Sequence, residues 1–112
     1  MQIIRTALFA PGINPKVMAK AVASPVDAVL FDLEDSVAID SKPQARQLVR
    51  EAIAELHQSN REDKPYVMVR TNAMDTGMLE EDIAQIAVAG LDMVFIPKAE
   101  LPEDIRLSLI HI

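Results

Sequence analysis

Hydrophobic residues along the 112-residue chain follow two rhythms. Four short runs are almost unbroken: Ile3 to Ala10, Ala28 to Leu33, Tyr66 to Arg70 and Met93 to Pro97. Such runs mark strands covered on both faces. Between them the spacing turns helical. Asn14 and Pro15 supply an N-cap and the residue favoured at the first helical position, and Val17, Met18, Ala21 and Val22 continue that helix. Ala45, Leu48, Val49, Ala52, Ile53 and Leu56 draw one apolar stripe along a second helix. A third is expected after Thr76, with Leu79, Ile83, Ile86 and Ala87 inward, acidic Glu80, Glu81 and Asp82 in its first turn, and Gly90 as its C-terminal stop. The polar stretch Gln58 to Lys64 reads as a loop.

The alternation of strand and helix predicts an α/β fold with a parallel sheet and right-handed crossovers, a pattern met by an open doubly wound sheet or by part of a β/α barrel. An eight-unit TIM barrel takes ~250 residues, so four parallel βα units make about half of one. Near Leu101 to Ile105, Pro102, Glu103 and Asp104 look like another first turn, which runs into the apolar tail Leu107 to Ile112. The expectation is one partial barrel domain over residues 1–112, cut at its C-terminal end, with the first and fourth strands as open edges that favour association.

Composition narrows the function classes. With 11 Lys and Arg against 17 Asp and Glu, the formal net charge of -6 argues against a nucleic-acid surface. Zero Cys excludes disulfides, thiolate metal sites and thiol nucleophiles, and fits a cytoplasmic setting. No apolar run approaches the ~20 residues of a membrane span, and no signal peptide opens the chain, so a protein free of the membrane and not exported is expected.

In parallel α/β folds, functional groups gather at strand ends. Here those ends read Phe9-Ala10-Pro11-Gly12, Asp32-Leu33-Glu34-Asp35, Arg70-Thr71-Asn72 and Pro97-Lys98-Ala99-Glu100. Three carboxylates within four residues raise one another's pKa and call for a cation. Mg²⁺, Arg70 and Lys98 are candidates, and structural ion pairs at a barrel rim explain the cluster equally well. Asp32 and Glu34 share a face, with Asp35 opposite or already in the loop. Arg70 ends an otherwise apolar strand, where its planar fork suits either a ligand carboxylate or a salt bridge to Asp32 or Glu34. Asn72 fits an Asx-turn or a second contact to the same ligand. Lys98 fits a countercharge to the acidic loop better than a Schiff-base lysine.

Other searches return nothing. His57 and His111 are expected at the surface, so neither a zinc pair nor a Ser-His-Asp triad has support. Three Gly do not make a phosphate-cradling loop. The six Met are expected to pack the core.

The segments R-T-A-L-F-A-P-G (Arg5 to Gly12), F-D-L-E-D-S-V-A (Phe31 to Ala38) with Lys42, Ala45 and Arg46, V-R-T-N-A-M-D-T (Val69 to Thr76) and I-P-K-A-E (Ile96 to Glu100) resemble the citrate lyase β-subunit-like branch of the HpcH/HpaI aldolase superfamily. The resemblance implies a TIM-barrel, Mg²⁺-dependent carbon–carbon lyase acting on a CoA ester or 2-oxo acid, of the citryl-CoA or malyl-CoA lyase type, and a homo-oligomer. It assigns Arg70 to catalysis and, with Asp32, Glu34 and Asp35, to substrate binding, and Phe9 and Lys20 to coenzyme A. The family's metal-binding Glu and Asp are expected beyond Ile112, so this stretch is expected to be inactive alone. Asn14 stands where relatives often carry Arg, and Asp35 stands where pyruvate-type aldolases have His. The rivals are an inert α/β binding or scaffold subunit and a receiver-like doubly wound domain, whose third strand should end in a phosphoacceptor Asp instead of Arg70.

Overall fold

The computed structural model describes residues 4–97 in full and the backbone of Lys98 and of 106–111. β1 (Ala7–Pro11), α1 (Pro15–Ala23), β2 (Ala28–Asp32), α2 (Lys42–Gln58), β3 (Tyr66–Arg70), α3 (Leu79–Ile86), β4 (Met93–Lys98) and β5 (Arg106–His111) follow in that order, with 3-10 turns at Ile39–Ser41 and Met74–Thr76. The sheet runs β1-β2-β3-β4-β5, the first four strands parallel. This sequential order is that of a barrel wall; a receiver-like sheet would place its second strand at the edge, before the first.

Local signals explain most boundaries. Asn14 Oδ1 accepts from the Val17 amide at 3.2 Å, and Pro15 opens α1 as expected. Gly12 donates its N–H to the Asp32 carbonyl at 2.8 Å. A Cβ there would lie 2.6 Å from that oxygen and 2.8 Å from Val49 Cγ2, so only glycine lets the first turn pass this close to β2.

All three helices pack on one face of the sheet. Val29, Phe31, Leu33, Val67, Val69, Val94 and Ile96 point toward Met18 and Ala21 of α1, Ala45, Val49, Ile53 and Leu56 of α2, and Ile86 of α3. Each large side chain buried here contributes about 1.5–3 kcal/mol. By strand alternation and register the other face carries Phe9, Leu30, Asp32, Met68, Arg70 and Phe95. It is not fully covered: Phe9 is 48% exposed, and Leu30 and Phe95 are half-buried. The unbroken runs therefore reflect helices on one side and a second, largely apolar and partly uncovered face on the other.

Several expectations change. The first strand starts at Ala7, later than Ile3, and its residues 7–9 are exposed because it is an edge strand. The third helix starts at Leu79, because Thr76 belongs to the 3-10 turn and its Oγ1 accepts from the Met78 amide. It ends at Ile86, so Ala87 is an exposed cap residue and Gly90, at φ +106°, turns the chain into β4. The tail is not a helix continuation: β5 pairs antiparallel with β4, so the fourth strand is not an open edge. The helix expected near Leu101 to Ile105 lies outside the described residues. His57 is exposed as expected, while the His111 side chain lies outside the described set. Met18 and Met68 are buried, but Met74 is 63% exposed on the loop after β3.

Candidate functional site

Parallel pairing brings the C-terminal ends of β1, β2 and β3 level, with Pro11 beside Asp32 and Asp32 beside Arg70. Asp32 is fully buried. Its Oδ1 accepts from Arg70 Nε at 2.7 Å and from the Glu34 amide at 3.1 Å, and its Oδ2 accepts from the Ser36 amide at 2.9 Å and Ser36 Oγ at 2.6 Å. All four lone-pair directions of the carboxylate are used. Burial alone would raise the Asp32 pKa, yet the hydrogen bonds from Arg70, Ser36 and Glu34 outweigh it and hold the pKa below the usual carboxylate value.

Glu34 also faces Arg70, Oε1 to Nε at 3.4 Å. Burial, then the neighbouring Asp35 charge, push the Glu34 pKa up against the opposing pull of Arg70. Asp35 is exposed on the outer turn of the loop. Arg70 is held firmly protonated, chiefly by its hydrogen bond to Asp32. Its Cζ stands 5.8 Å from the centroid of the Phe9 ring, within cation–π range. Among the described residues the only hydrogen bond of its guanidinium is through Nε, and none of them engages the two Nη groups.

Behind this arrangement stand two buried charged groups that the stripe pattern passes over, Lys42 and Asp82. Lys42 is buried, and its Nζ donates to the carbonyls of Leu33 and Glu34, both at 2.8 Å. Fully buried Asp82 accepts from Arg46 Nε at 2.7 Å and from the amide and Nδ2 of Asn72 at 2.7 and 2.8 Å. Asn72 is thus held by Asp82 through its amide and Nδ2, in place of the expected Asx-turn. Sequence signals for both were present. Asp82 sits at the stripe spacing between Leu79 and Ile86, and Lys42 places a cation at a helix N-terminus, where the dipole disfavours it.

The structure joins Phe9, Asp32, Glu34 and Arg70 into one cluster. It does not join Lys20 to them: Lys20 is exposed in a shallow hollow with Asn14, Lys16, Val17 and Ala19. The Lys98 side chain lies outside the described set. Among the described residues no group of three or more His, Cys, Asp or Glu can hold a metal ion. With Asp32 saturated, the loop carboxylates do not fit a divalent cation on their own.

Known proteins share the sequence and the fold of this chain. The citrate lyase β subunit from M. tuberculosis, complexed with oxaloacetate and magnesium, superposes with a TM-score of 0.64 at 36% identity, covering 84% of this chain and 38% of that one. The citrate lyase subunit beta of Leuconostoc mesenteroides subsp. cremoris is 38% identical over 96 residues, 86% of this chain and 30% of its own length. The L-malyl-CoA/beta-methylmalyl-CoA lyase of Cereibacter sphaeroides is 40% identical over 104 residues, 90% of this chain and 31% of its own. The chain spans about a third of the length of the curated relatives it matches, and its four parallel strands with three connecting helices are the N-terminal part of the barrel-type fold. The family model for HpcH/HpaI aldolase/citrate lyase matches residues 5–108, and the chain belongs to that family.

Proposed function

We propose that these residues are the N-terminal part of a longer Mg²⁺-dependent carbon–carbon lyase acting on a CoA ester or a 2-oxo acid, of the citryl-CoA or malyl-CoA lyase type. The observation that carries this reading is the guanidinium of Arg70, clamped through Nε by Asp32, with its Nη groups unpartnered among the described residues. Cleavage of a carbon–carbon bond beside a carbonyl leaves an enolate, and a preplaced cationic fork stabilises the oxygen charge as it develops. Arg70 supplies that fork, Asp32 fixes its plane, and Phe9 covers one face of it.

The local charge supports a cation requirement. Asp32, Glu34 and Asp35 outnumber Arg70 and Lys42, so an anionic substrate meets a net negative rim unless another cation enters with it. The ligands of that cation belong to strands outside these residues. Glu34 and Asp35 are proposed to border the substrate, and Phe9 and Lys20 to contact coenzyme A. Asn14 is spent on capping α1 and does not replace the arginine common in relatives. A cytoplasmic setting fits the cysteine-free composition, a homo-oligomer is proposed from the family resemblance alone, and no helix among the described residues is long and apolar enough to cross a membrane.

The test is to offer the full-length protein malyl-CoA, citryl-CoA and 2-oxo acids with Mg²⁺ and to follow the released acyl-CoA and oxo-acid by mass spectrometry. Cleavage that disappears with EDTA is the expected result. A folded protein that cleaves none of them would instead fit an inert binding subunit.

A further inference from the structure

Lys42 is 5% exposed, opens α2, and forms no ion pair among the described residues. Its ammonium has two backbone carbonyls as partners, Leu33 and Glu34. A buried ammonium without a carboxylate partner is costly to keep, more so than a neutral side chain of the same length. The two residues it holds are the two that grip Arg70 from the acidic loop. The Leu33 amide donates to the Arg70 carbonyl at 2.9 Å, and Glu34 faces Arg70 Nε through its carboxylate. The Glu34 backbone is pinned further, its amide to Asp32 Oδ1 and its carbonyl to the Val37 amide at 3.2 Å.

We propose that Lys42 is a positioning residue of the site: its ammonium fixes the Leu33 and Glu34 carbonyls, so that the loop presents Glu34 to Arg70 and the guanidinium keeps its Nη edge outward. This rests on the reading that the outward edge of Arg70 meets substrate. Lys42 also acts through charge. The groups facing Glu34 are Asp32 from β2, Asp35 from its own loop, Arg70 from β3 and Lys42 from α2. The first two and burial disfavour the ionised carboxylate, and the last two favour it. A lysine that only filled space would leave the titration of Glu34 unchanged when replaced.

Two variants separate the roles. Lys42→Gln keeps hydrogen-bond donors without charge, and Lys42→Met removes both. The 112-residue chain, labelled with ¹³C and ¹⁵N, gives the midpoint of the Glu34 Cδ titration and the water-exchange rate of the Arg70 Nε proton by NMR. Both variants should raise the Glu34 midpoint. Lys42→Met should also speed exchange at Arg70 Nε about tenfold or more, the factor expected when a hydrogen bond to a charged group stops holding a loop, whereas Lys42→Gln should leave it slow. A folded Lys42→Met chain with both readouts at wild-type values overturns the proposal. If neither variant folds, the wild-type ammonium decides: Lys42 Nζ protons exchanging as slowly as a buried donor support it, and rates equal to those of exposed Lys16 and Lys20 overturn it. No readout involves substrate, so a full-length protein without lyase activity would remove the functional reading and leave these outcomes to be judged separately.

Discussion

Asp32 and Arg70 are direct partners in the parallel register of β2 and β3, and Arg70 Nε donates to Asp32 Oδ1 at 2.7 Å. Pairing across neighbouring strands gives the contact a rigid base, because neither Cα can move without shifting the sheet. One partner is fully buried and the other is 25% exposed at its side chain. Solvent therefore still reaches the cationic partner, so the ion pair ties the two strands without sealing the arginine inside.

That pairing predicts a pH dependence. Hydrogen bonds hold the folded-state pKa of Asp32 below its ordinary value, so the stability it contributes is complete above the unfolded value of about 4. It is lost as pH falls through the depressed folded value. Asp32→Asn should cost on the order of 3 kcal/mol at pH 7, since it leaves Arg70 without its buried partner. The same variant should flatten the acid limb of a urea-denaturation series run from pH 6 to about pH 2. A variant as acid-sensitive as the wild type would assign the acid limb to other carboxylates.

Asp82 should behave as a three-way tie between α2, α3 and the end of β3. Asp82→Ala leaves the Arg46 guanidinium, 11% exposed at its side chain, without its charge partner and both Asn72 donors without an acceptor. The expected loss is about 3–5 kcal/mol, the range for breaking a buried pair. Chemical denaturation of the Asp82→Ala, Arg46→Ala and double variants checks it. The double variant should lose less than the sum of the two singles, because the second change removes a charge already unpaired.

Much of this was readable from the chain itself, and the parts that were not have physical causes. The α2 stripe and the Asn14 cap are local properties, set by helical period and by one side chain reaching one amide, so sequence spacing exposes them directly. Arg70 stood out because a cation ends an apolar run. Its partner could be narrowed only to Asp32 or Glu34, since register between distant strands is set by the whole sheet. Asp82 was read as one of three acids complementing a helix dipole. Glu80 and Glu81 are indeed exposed, and only the packing of α3 on α2 turns Asp82 inward. The strand over 106–111 carried no helix or strand period strong enough to separate it from a terminal tail.

Gly12 offers a test of the turn that leads out of β1. A methyl group there meets a backbone oxygen and a valine methyl at distances that real side chains do not occupy. Gly12→Ala should therefore destabilise the chain by about 1–3 kcal/mol, as overpacking does. Thermal melts followed by circular dichroism would show it, with helical content retained below the transition. An unchanged melting temperature would mean that the turn can retreat from β2 without breaking the Gly12–Asp32 hydrogen bond.

Mg²⁺ should bind the 112-residue chain no better than weakly. All four acceptor directions of Asp32 are filled, which leaves Glu34 and Asp35 as a pair of carboxylates, one of them tied to Arg70. A hard cation held by so few fixed oxygens depends on substrate or further carboxylates to complete its octahedron. Isothermal calorimetry is expected to show no saturable binding at micromolar Mg²⁺. Tight binding would place the loop carboxylates among the direct ligands and require Asp32 to exchange its present partners.

The sharpest test falls on Arg70 in the full-length protein. If the Nη edge grips substrate carboxylate or enolate oxygens, Arg70→Lys keeps the charge but loses the fork, and Arg70→Ala loses both. The alanine variant should lower turnover on the order of 10²-fold or more, by analogy with removal of one donor to a developing oxyanion. Lysine should recover part of that loss, because charge without bidentate geometry still favours the enolate. Removing Arg70 also strips Asp32 and Glu34 of their cation, so each variant needs a matched denaturation curve to separate lost chemistry from lost fold. The two effects part on pH as well. An unpaired Asp32 would take up a proton more readily, and a variant disabled only through the fold would regain activity as the buffer is made more acidic. A folded Arg70→Ala protein with near-normal kcat/KM would show that the arginine serves only to neutralise the acidic loop, and substrate binding would then have to be assigned to other residues of the barrel.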